Sequence, residues 1–374
     1  MSAPPTWPCY TLLVLKFEYY NGPSHFSQLE SGEYNTWIKL DSQAFYGLKR
    51  MLSILIIASL IYGFLNGFHD SSNIVATVIS SRALRPRSAL LLTAFCEGVA
   101  PFLFGVAVAN TVGKDLLDPA VISDYVILTA ISAAILWNLF TWFISIPSSS
   151  SHALIGGLLG AAIAASGLPV VRLGGLSKVL VALFLSPPLG LIFGYLLMKA
   201  TLFIFQGATP RVNLTFKRLQ IVTAISLALS HGSNDSQKTM AILAMSLMIS
   251  GQTHVFAVPL WVIAASAAMM GLGSLFGGWR LIRTLGGRIY KIRPVHAFTS
   301  QAASAAIVLG AALLGGPVSA SQVVGTAIMG AGAAERVNKV RWQVARDMIV
   351  TWVVTIPASA LLAGVLYWLV AVLG

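Results

Sequence analysis

Two short polar clusters in an otherwise apolar sequence carry the side chains best suited to chemistry. The first, Gly67–Asn73, contains Asp70, and the second, Ser230–Lys238, contains Asp235. Aligned on the aspartates, the two clusters share Gly-x-x-Asp-Ser. An aspartate in a membrane-spanning segment costs about 2.5–3.5 kcal/mol, so its retention predicts a function. The alternative is an aspartate that only caps a broken helix.

The oxygen atoms of these clusters suit a small cation. Carboxylate and amide oxygens are ligands for hard cations such as Na⁺, and an intramembrane carboxylate can also carry a proton. The predicted cation-coupling residues are Asp70, Asn73, Asn234 and Asp235. If the coupling ion is Na⁺, Asp70, Asn73 and Asp235 are its predicted ligands.

Two serine-rich loops have the opposite preference, for an anion. Pro147-x-Ser149-x-Ser151-His152 corresponds to Pro317-x-Ser319-x-Ser321-Gln322. Hydroxyls and the amides of a helix N-terminus together favour a tetrahedral oxyanion. A single loop of this kind could instead only pack helices through small residues. The predicted oxyanion ligands are Ser149, Ser150, Ser151, Ser319, Ser321, Gln237 and Lys238.

Composition defines the elements that must position these residues. Of 374 residues, 56% are hydrophobic and 10% are charged, against about 25% charged in soluble proteins. The chain is therefore a polytopic membrane protein. Its net charge of +12 lies in basic loops at 82–87, 211–218, 280–293 and 336–346, which is the positive-inside pattern rather than a nucleic-acid surface. Two cysteines exclude a disulfide framework.

The order of apolar runs and loops predicts how the chain is divided. The first apolar span, 51–81, is expected to break at Gly67–Asp70, and the serine loops are expected to form re-entrant turns. Met51 is a candidate start codon. The predicted segments are a poorly ordered N-terminal extension at 1–50, a first membrane repeat at 51–206, a cytoplasmic linker at 207–218 and a second repeat at 219–374.

The basic loops also orient the two repeats. The Asp70 span ends in a basic loop, whereas the Asp235 span begins after one, so the two spans run in opposite directions. The aspartate clusters and the serine loops recur in the same order at nearly the same spacing, which indicates duplication. We therefore predict an all-α fold with two inverted-topology repeats, broken helices and re-entrant hairpins. Such repeats are typical of secondary transporters, with the site near the midplane.

Together these motifs resemble one known family. Asn66–Asn73, His231–Lys238 and the paired Pro-x-Ser-x-Ser loops are similar to those of the bacterial type of the inorganic phosphate transporter (PiT) family. The resemblance covers about residues 51–374. It implies phosphate import across the inner cell membrane, driven by a cation gradient, with the aspartate clusters in the cation and phosphate region and the serine loops binding phosphate.

The chain departs from that family's pattern at the second serine loop. Gln322 stands where the family commonly has His, and Ala320 where it commonly has a hydroxyl residue. Phosphate contacts on that side are therefore expected to be fewer. Some relatives carry sulfate, so a sulfate or other oxyanion permease of the same fold remains an alternative.

Lys238 bears on the choice of coupling ion. It occupies the repeat position of Asn73, where an ammonium would supply the charge of a bound cation. We therefore expect coupling to H⁺ rather than Na⁺, with phosphate entry as a metal complex left open. The alternative is that Lys238 snorkels to the interface.

Two other function classes are weaker. An intramembrane hydrolase would use Ser151, His152 and Asp70, but adjacent side chains on a helix do not face each other. A channel would not need repeated, broken helices. We expect no cofactor beyond the transported ions, and an oxyanion and membrane lipid, but no nucleic acid, as partners; a homodimer is left open.

Overall fold

The computed structural model describes residues 31–118, 122–144, 148–277, 282 and 292–373, and the side chains of 31–48 and Lys339 are not described. Three parts of the predictions lie outside these ranges: residues 1–30 of the extension, Pro147 of the first serine loop, and most of the basic loop at 280–293. The chain divides into two units, Met1–Arg50 and Met51–Gly374. The second unit contains all the candidate site residues.

The described residues form eleven α-helices and no β-strand, so the all-α prediction is confirmed. An isolated β-bridge joins Leu117 to Val171 and holds two loops together. The helices are α1 Ser31–Ser80, α2 Pro86–Leu103, α3 Ala107–Asn110, α4 Asp124–Phe143, α5 Ser150–Ser166, α6 Leu173–Ile204, α7 Val212–Ile249, α8 Leu260–Phe276, α9 Pro294–Leu313, α10 Ala320–Arg336 and α11 Trp342–Leu373.

Five of these helices are long and apolar enough to cross a membrane: the Lys49–Ser80 part of α1, together with α4, α6, α9 and α11. A sixth span results if α2 and the Ala107–Asp115 segment are counted together across a bend of 71°. These spans confirm the prediction of a polytopic membrane protein. Helices α5 and α8 are apolar but only 17 residues long.

The predicted break of the first span at Gly67–Asp70 is wrong, because α1 continues through it and α7 continues through the second cluster. The glycines serve helix packing instead. A Cβ atom on Gly67 would overlap the carbonyl oxygen of Met270, and one on Gly232 would lie 2.7 Å from Cα of Glu97. The shared glycine therefore brings α1 against α8 and α7 against α2.

The bend between α2 and α3 is a real break, and Gly105 stands there with a φ of +77°. Backbone amides freed by a break need acceptors at membrane depth. Gln237 Oε1 accepts from Val108 N at 2.7 Å and from Ala109 N at 3.2 Å. The second polar cluster thus supplies the cap of a broken helix on the other half of the chain.

The helix lengths repeat along the chain. α4 and α9 each have 20 residues, α5 and α10 each have 17, and α6 and α11 each have 32. The three helices occur in the same order in each half, and α5 and α10 each follow one of the two serine loops. The repeated helices therefore keep the register of the serine loops, as the predicted duplication requires. The opposite orientation of the two halves stays a prediction.

Helices of the two halves pack against each other in a reciprocal way. α5 packs on α11, and its counterpart α10 packs on α6. Gly160 and Gly330, which occupy the same position in α5 and α10, make the equivalent close approach. A Cβ atom on Gly160 would overlap the carbonyl oxygen of Ala360, and one on Gly330 that of Leu191. Each serine-loop helix is therefore held by the long final helix of the other half.

Candidate ion-binding site

The two aspartates, distant in sequence, meet in the interior. Ligand atoms of Asp70, Asp235 and His231 all lie within 4.8 Å of one another, and all three residues are buried. α1 and α7 position these residues where the shared glycines let neighbouring helices approach closely. Two carboxylates at this separation in a low-dielectric interior repel each other unless cations or donors compensate them.

Asp70 is compensated mainly by neutral or titratable donors. Its Oδ1 lies 2.9 Å from His69 Nδ1 and accepts from Asn73 Nδ2 at 3.1 Å. Its Oδ2 accepts from the Ser150 hydroxyl at 2.7 Å. Asn73 and Ser150, one from each predicted ligand set, therefore converge on the same carboxylate.

Asp235 is compensated by a fixed positive charge. Lys238 Nζ lies 2.6 Å from its Oδ1, and Asn66 Nδ2 donates to its Oδ2 at 3.4 Å. His231 Nε2 lies 3.3 Å from Oδ2, without hydrogen-bond geometry. Lys238 is only 1% exposed, which excludes the snorkelling alternative.

The two clusters use their repeat positions in the same way. Asn73 reaches Asp70 from three residues further along α1, and Lys238 reaches Asp235 from three residues further along α7. The geometry is shared, but an amide in one half is an ammonium in the other. The site is therefore asymmetric in charge even though its backbone is repeated.

The first serine loop divides its hydroxyls between structure and site. Ser149 caps α5 by accepting from His152 N at 3.1 Å, which is a typical N-cap interaction. Ser150 donates to Asp70, as above. Ser151 Oγ accepts from Lys238 Nζ at 2.5 Å and donates to Val318 O at 2.8 Å.

The two serine loops contact each other reciprocally. Ser151 donates to the carbonyl oxygen of Val318. Ser321, the counterpart of Ser151, donates at 3.0 Å to the carbonyl oxygen of Ser148, which is the counterpart of Val318. Ser319 Oγ lies 3.0 Å from Ser321 Oγ. The N-termini of α5 and α10 therefore face each other, which brings both sets of predicted oxyanion ligands together.

His152 and Gln322, the pair that distinguishes the two loops, meet between them. Gln322 Nε2 lies 3.0 Å from His152 Nδ1. The structure gives Ser151 and His152 separate partners, so it does not assemble the pairing that a hydrolase would need.

Gln237 and Asn234, which were predicted as ligands, form hydrogen bonds to backbone groups of neighbouring segments instead. Gln237 caps α3 through Oε1 and donates through Nε2 to Ser233 O at 2.7 Å. Asn234 donates to Gly316 O at 3.0 Å and accepts from Val318 N at 3.3 Å, so it fixes the approach to the second serine loop. Both amides lie beside the site and shape it.

Sequence reasoning missed Glu97, which reaches the site from α2. Glu97 Oε1 lies 2.6 Å from His231 Nδ1, and its other oxygen accepts from the Ser274 hydroxyl. Glu97 is completely buried, and its contact with Nδ1 leaves the other ring nitrogen of His231 facing Asp235. A lone acidic residue within the apolar run Leu90–Leu103 was the available signal.

Comparisons with known proteins agree with this architecture. The sequence model of a family described as "Phosphate transporter family" matches residues 66–211 and 205–363. A chain from Bacillus subtilis (strain 168), named "Probable low-affinity inorganic phosphate transporter", is 43% identical over 321 residues, which cover 84% of this chain and 96% of the relative. A chain of the same name from Rhizobium meliloti (strain 1021) is 43% identical over 316 residues, covering 84% and 95%.

A solved structure supports the fold independently. The structure titled "The sodium-dependent phosphate transporter" superposes with a TM-score of 0.79 at 22% identity, covering 87% of this chain and 100% of that one. At this identity the likeness concerns the arrangement of helices alone.

Proposed function

Because the chain belongs to the phosphate transporter family, we propose that it imports inorganic phosphate across the cell membrane by symport, with H⁺ rather than Na⁺ as the coupling ion. The family and the apolar helices make the chain a multi-pass membrane transporter rather than an enzyme. Relatives at 43% identity named as inorganic phosphate transporters support phosphate as the substrate. The choice of H⁺ rests on this chain's own residues.

The phosphate site in this proposal lies between the facing N-termini of α5 and α10. First-turn amides and serine hydroxyls donate hydrogen bonds there, and both helix dipoles favour an anion. Ser149, Ser150, Ser151, Ser319 and Ser321 line this junction, with Lys238 close to Ser151.

The single observation that carries the coupling ion is the Lys238–Asp235 ion pair at 2.6 Å. An ammonium that is bonded to one carboxylate of the pair supplies the compensating charge that a Na⁺ ion would bring. Asp70 accepts from Asn73 and Ser150 and lies 2.9 Å from His69 Nδ1, but it has no lysine among its described partners. It is therefore left as the carboxylate that takes up the coupling ion.

The test is uptake of labelled phosphate by the purified chain in proteoliposomes, with an imposed pH gradient and no sodium. We expect uptake that a protonophore abolishes. Uptake that requires sodium would overturn H⁺ coupling but keep phosphate transport. Absence of phosphate uptake under either gradient, with uptake of labelled sulfate instead, would replace the substrate.

Lys238→Asn tests the residue that carries the argument. The variant reproduces the Asp70–Asn73 pairing in the second half, so we expect uptake to lose its response to the pH gradient and to gain a response to sodium. Lys199→Asn is the matched control, because Lys199 is exposed and lies over the Tyr195 ring, away from the aspartates. An unchanged ion dependence in Lys238→Asn would contradict the proposal.

A further inference from the structure

An apolar groove of about 700 Å³ opens on the membrane-facing side between α6 and α9. Val181, Leu185 and Phe193 of α6 line one wall, and Ile307 and Gly310 of α9 line the other. Val181, Leu185 and Phe193 are each about half exposed, so the groove is open to lipid rather than enclosed. The proposed transport chemistry does not use this groove.

The other half of the molecule has larger side chains at the equivalent helix positions. Counted from the first residue of each helix, Ile307 and Gly310 of α9 occupy the positions of Trp137 and Phe140 in α4. Those two rings lie 5.8 Å apart, and Trp137 Nε1 donates to Thr355 of α11 at 3.2 Å. In that half, two aromatic rings therefore occupy the positions that Ile307 and Gly310 hold at the groove.

One end of the groove is positively charged. Lys178 is the only ionisable residue among the described residues that line it. Its Nζ donates to Thr111 Oγ1 at 3.0 Å, and within the described part of the chain its other two N–H bonds are left for a further acceptor. From Lys178 to Phe193 the groove extends about 22 Å along α6, which exceeds the roughly 15 Å of one bilayer leaflet.

We propose that this groove is a binding site for one anionic phospholipid, with the headgroup phosphate on Lys178 and an acyl chain against α6 and α9. An apolar slot open to the bilayer accommodates the chain, and a cation at its end selects a negatively charged headgroup. α6 ends just before the linker at 207–218 that is predicted to be cytoplasmic, so its start, which carries Lys178, faces the outside. The lipid therefore belongs to the outer leaflet.

The bound lipid contacts the back of the second serine loop. Gly316 and Val318 of this loop also line the groove. The same two residues hold Asn234 through their backbone, and Val318 O accepts from Ser151 and Lys238. An acyl chain in the groove supports this loop from the side opposite the candidate site.

The test is photolabelling of the full chain in phosphatidylcholine proteoliposomes that contain a trace of phosphatidylglycerol with a diazirine in its acyl chain. Peptide mapping is expected to place adducts on α6 and α9, several-fold above those from an equally modified phosphatidylcholine. Gly310→Phe places a ring in the groove, because a Cβ atom there meets nothing within 4 Å, and should remove this labelling. The readout is binding, so it does not depend on the proposed transport.

Controls separate the parts of the proposal. Gly174→Phe adds the same ring at an exposed glycine of α6 with nothing within 4 Å, and should label like the unmodified chain. Lys178→Gln should make labelling by phosphatidylglycerol equal to labelling by phosphatidylcholine. Thr111→Val, which removes only the partner hydroxyl, should keep the preference for phosphatidylglycerol. If Gly310→Phe fails to fold, Ile307→Trp is a second groove-filling variant, because it introduces the residue found at the equivalent position of α4. Equal labelling by both lipids, or unchanged labelling in the folded groove-filling variant, would overturn the proposal.

Discussion

At the scale of single side chains, serine hydroxyls connect the oxyanion loops to the aspartates. Ser150 donates to Asp70, while Ser151 accepts from Lys238, which also donates to Asp235. An anion that accepts the hydroxyl hydrogen of Ser150 must therefore displace it from Asp70, and one that binds at Ser151 lies beside the ammonium that holds Asp235. In a buried network such a change is strongly felt, because few other donors are available. This linkage is a physical route by which phosphate and the coupling ion can depend on each other.

Ser150→Ala is expected to impair phosphate uptake and also to alter its dependence on the coupling ion. The substitution removes a proposed donor to the phosphate, and a hydrogen bond to a charged group is worth about 1.5–3 kcal/mol, so a rise in KM of roughly 10-fold or more is expected. It also removes the hydrogen bond to Asp70, which is why the ion dependence should change. Ser319→Ala is the comparison, because Ser319 bonds to Ser321 rather than to a carboxylate. Uptake kinetics at two imposed pH gradients measure both effects. Identical gradient dependence in the two variants would contradict the linkage.

The sequence identified part of this network and missed part for clear reasons. Asp70, Asp235 and Lys238 could be found because the clusters resemble each other and are polar among apolar residues. The use of Gln237 as a cap for α3 could not be found, because its partners lie far earlier in the chain and depend on how α7 packs. Glu97 has no local motif, and only its contact with His231 gives it a place in the site.

At the scale of helices, polarity in a span was a poor guide to where the span breaks. The interruption expected at Gly67 is absent, since the Asp70 side chain finds side-chain donors and needs no freed backbone. Among the described residues, breaks occur before α3, where Gln237 supplies a cap, and before α5, where Ser149 does. A glycine in a spanning helix can mean close packing as readily as a break.

Gly67→Ala is expected to destabilise the protein, because the new methyl group would overlap the Met270 carbonyl and force α1 away from α8. Overpacking of this kind typically costs about 1–3 kcal/mol. Gly174→Ala is the matched control: it is also a helical glycine, has nothing within 4 Å, and should be neutral or stabilising by roughly 0.5–1 kcal/mol. Thermal unfolding of both variants in one detergent measures the difference. Equal stability would show that the two helices can separate at no cost.

At the scale of the whole molecule, the repeated backbone and the unrepeated side chains carry different information. Helix lengths and serine-loop contacts recur between the halves, and motif spacing alone was enough to predict that duplication. The halves differ in side chains: Asn73 against Lys238 makes the site asymmetric in charge, and Ile307 at the groove stands against Trp137 in the other half. Their effects could not be predicted from motif spacing, because each effect depends on the side chains of the helix packed against that position.

The predicted inversion of the two halves has a direct consequence for where equivalent residues lie. Ser88 follows the end of α1 and Gln252 follows the end of α7, and both are exposed. If the halves are inverted, the basic loop beside Ser88 places it in the cytoplasm and Gln252 outside.

Single-cysteine variants at these two positions, with Cys9 and Cys96 replaced, are the test. A membrane-impermeant thiol reagent added to intact cells should label Gln252→Cys and spare Ser88→Cys, and inside-out vesicles should reverse this. A parallel duplication would put both cysteines on one side, so labelling of both from the same face would contradict the inversion. It would also remove the basis for placing Asp70 and Asp235 on opposed helices at the membrane midplane, since that arrangement follows from antiparallel halves meeting at a common centre.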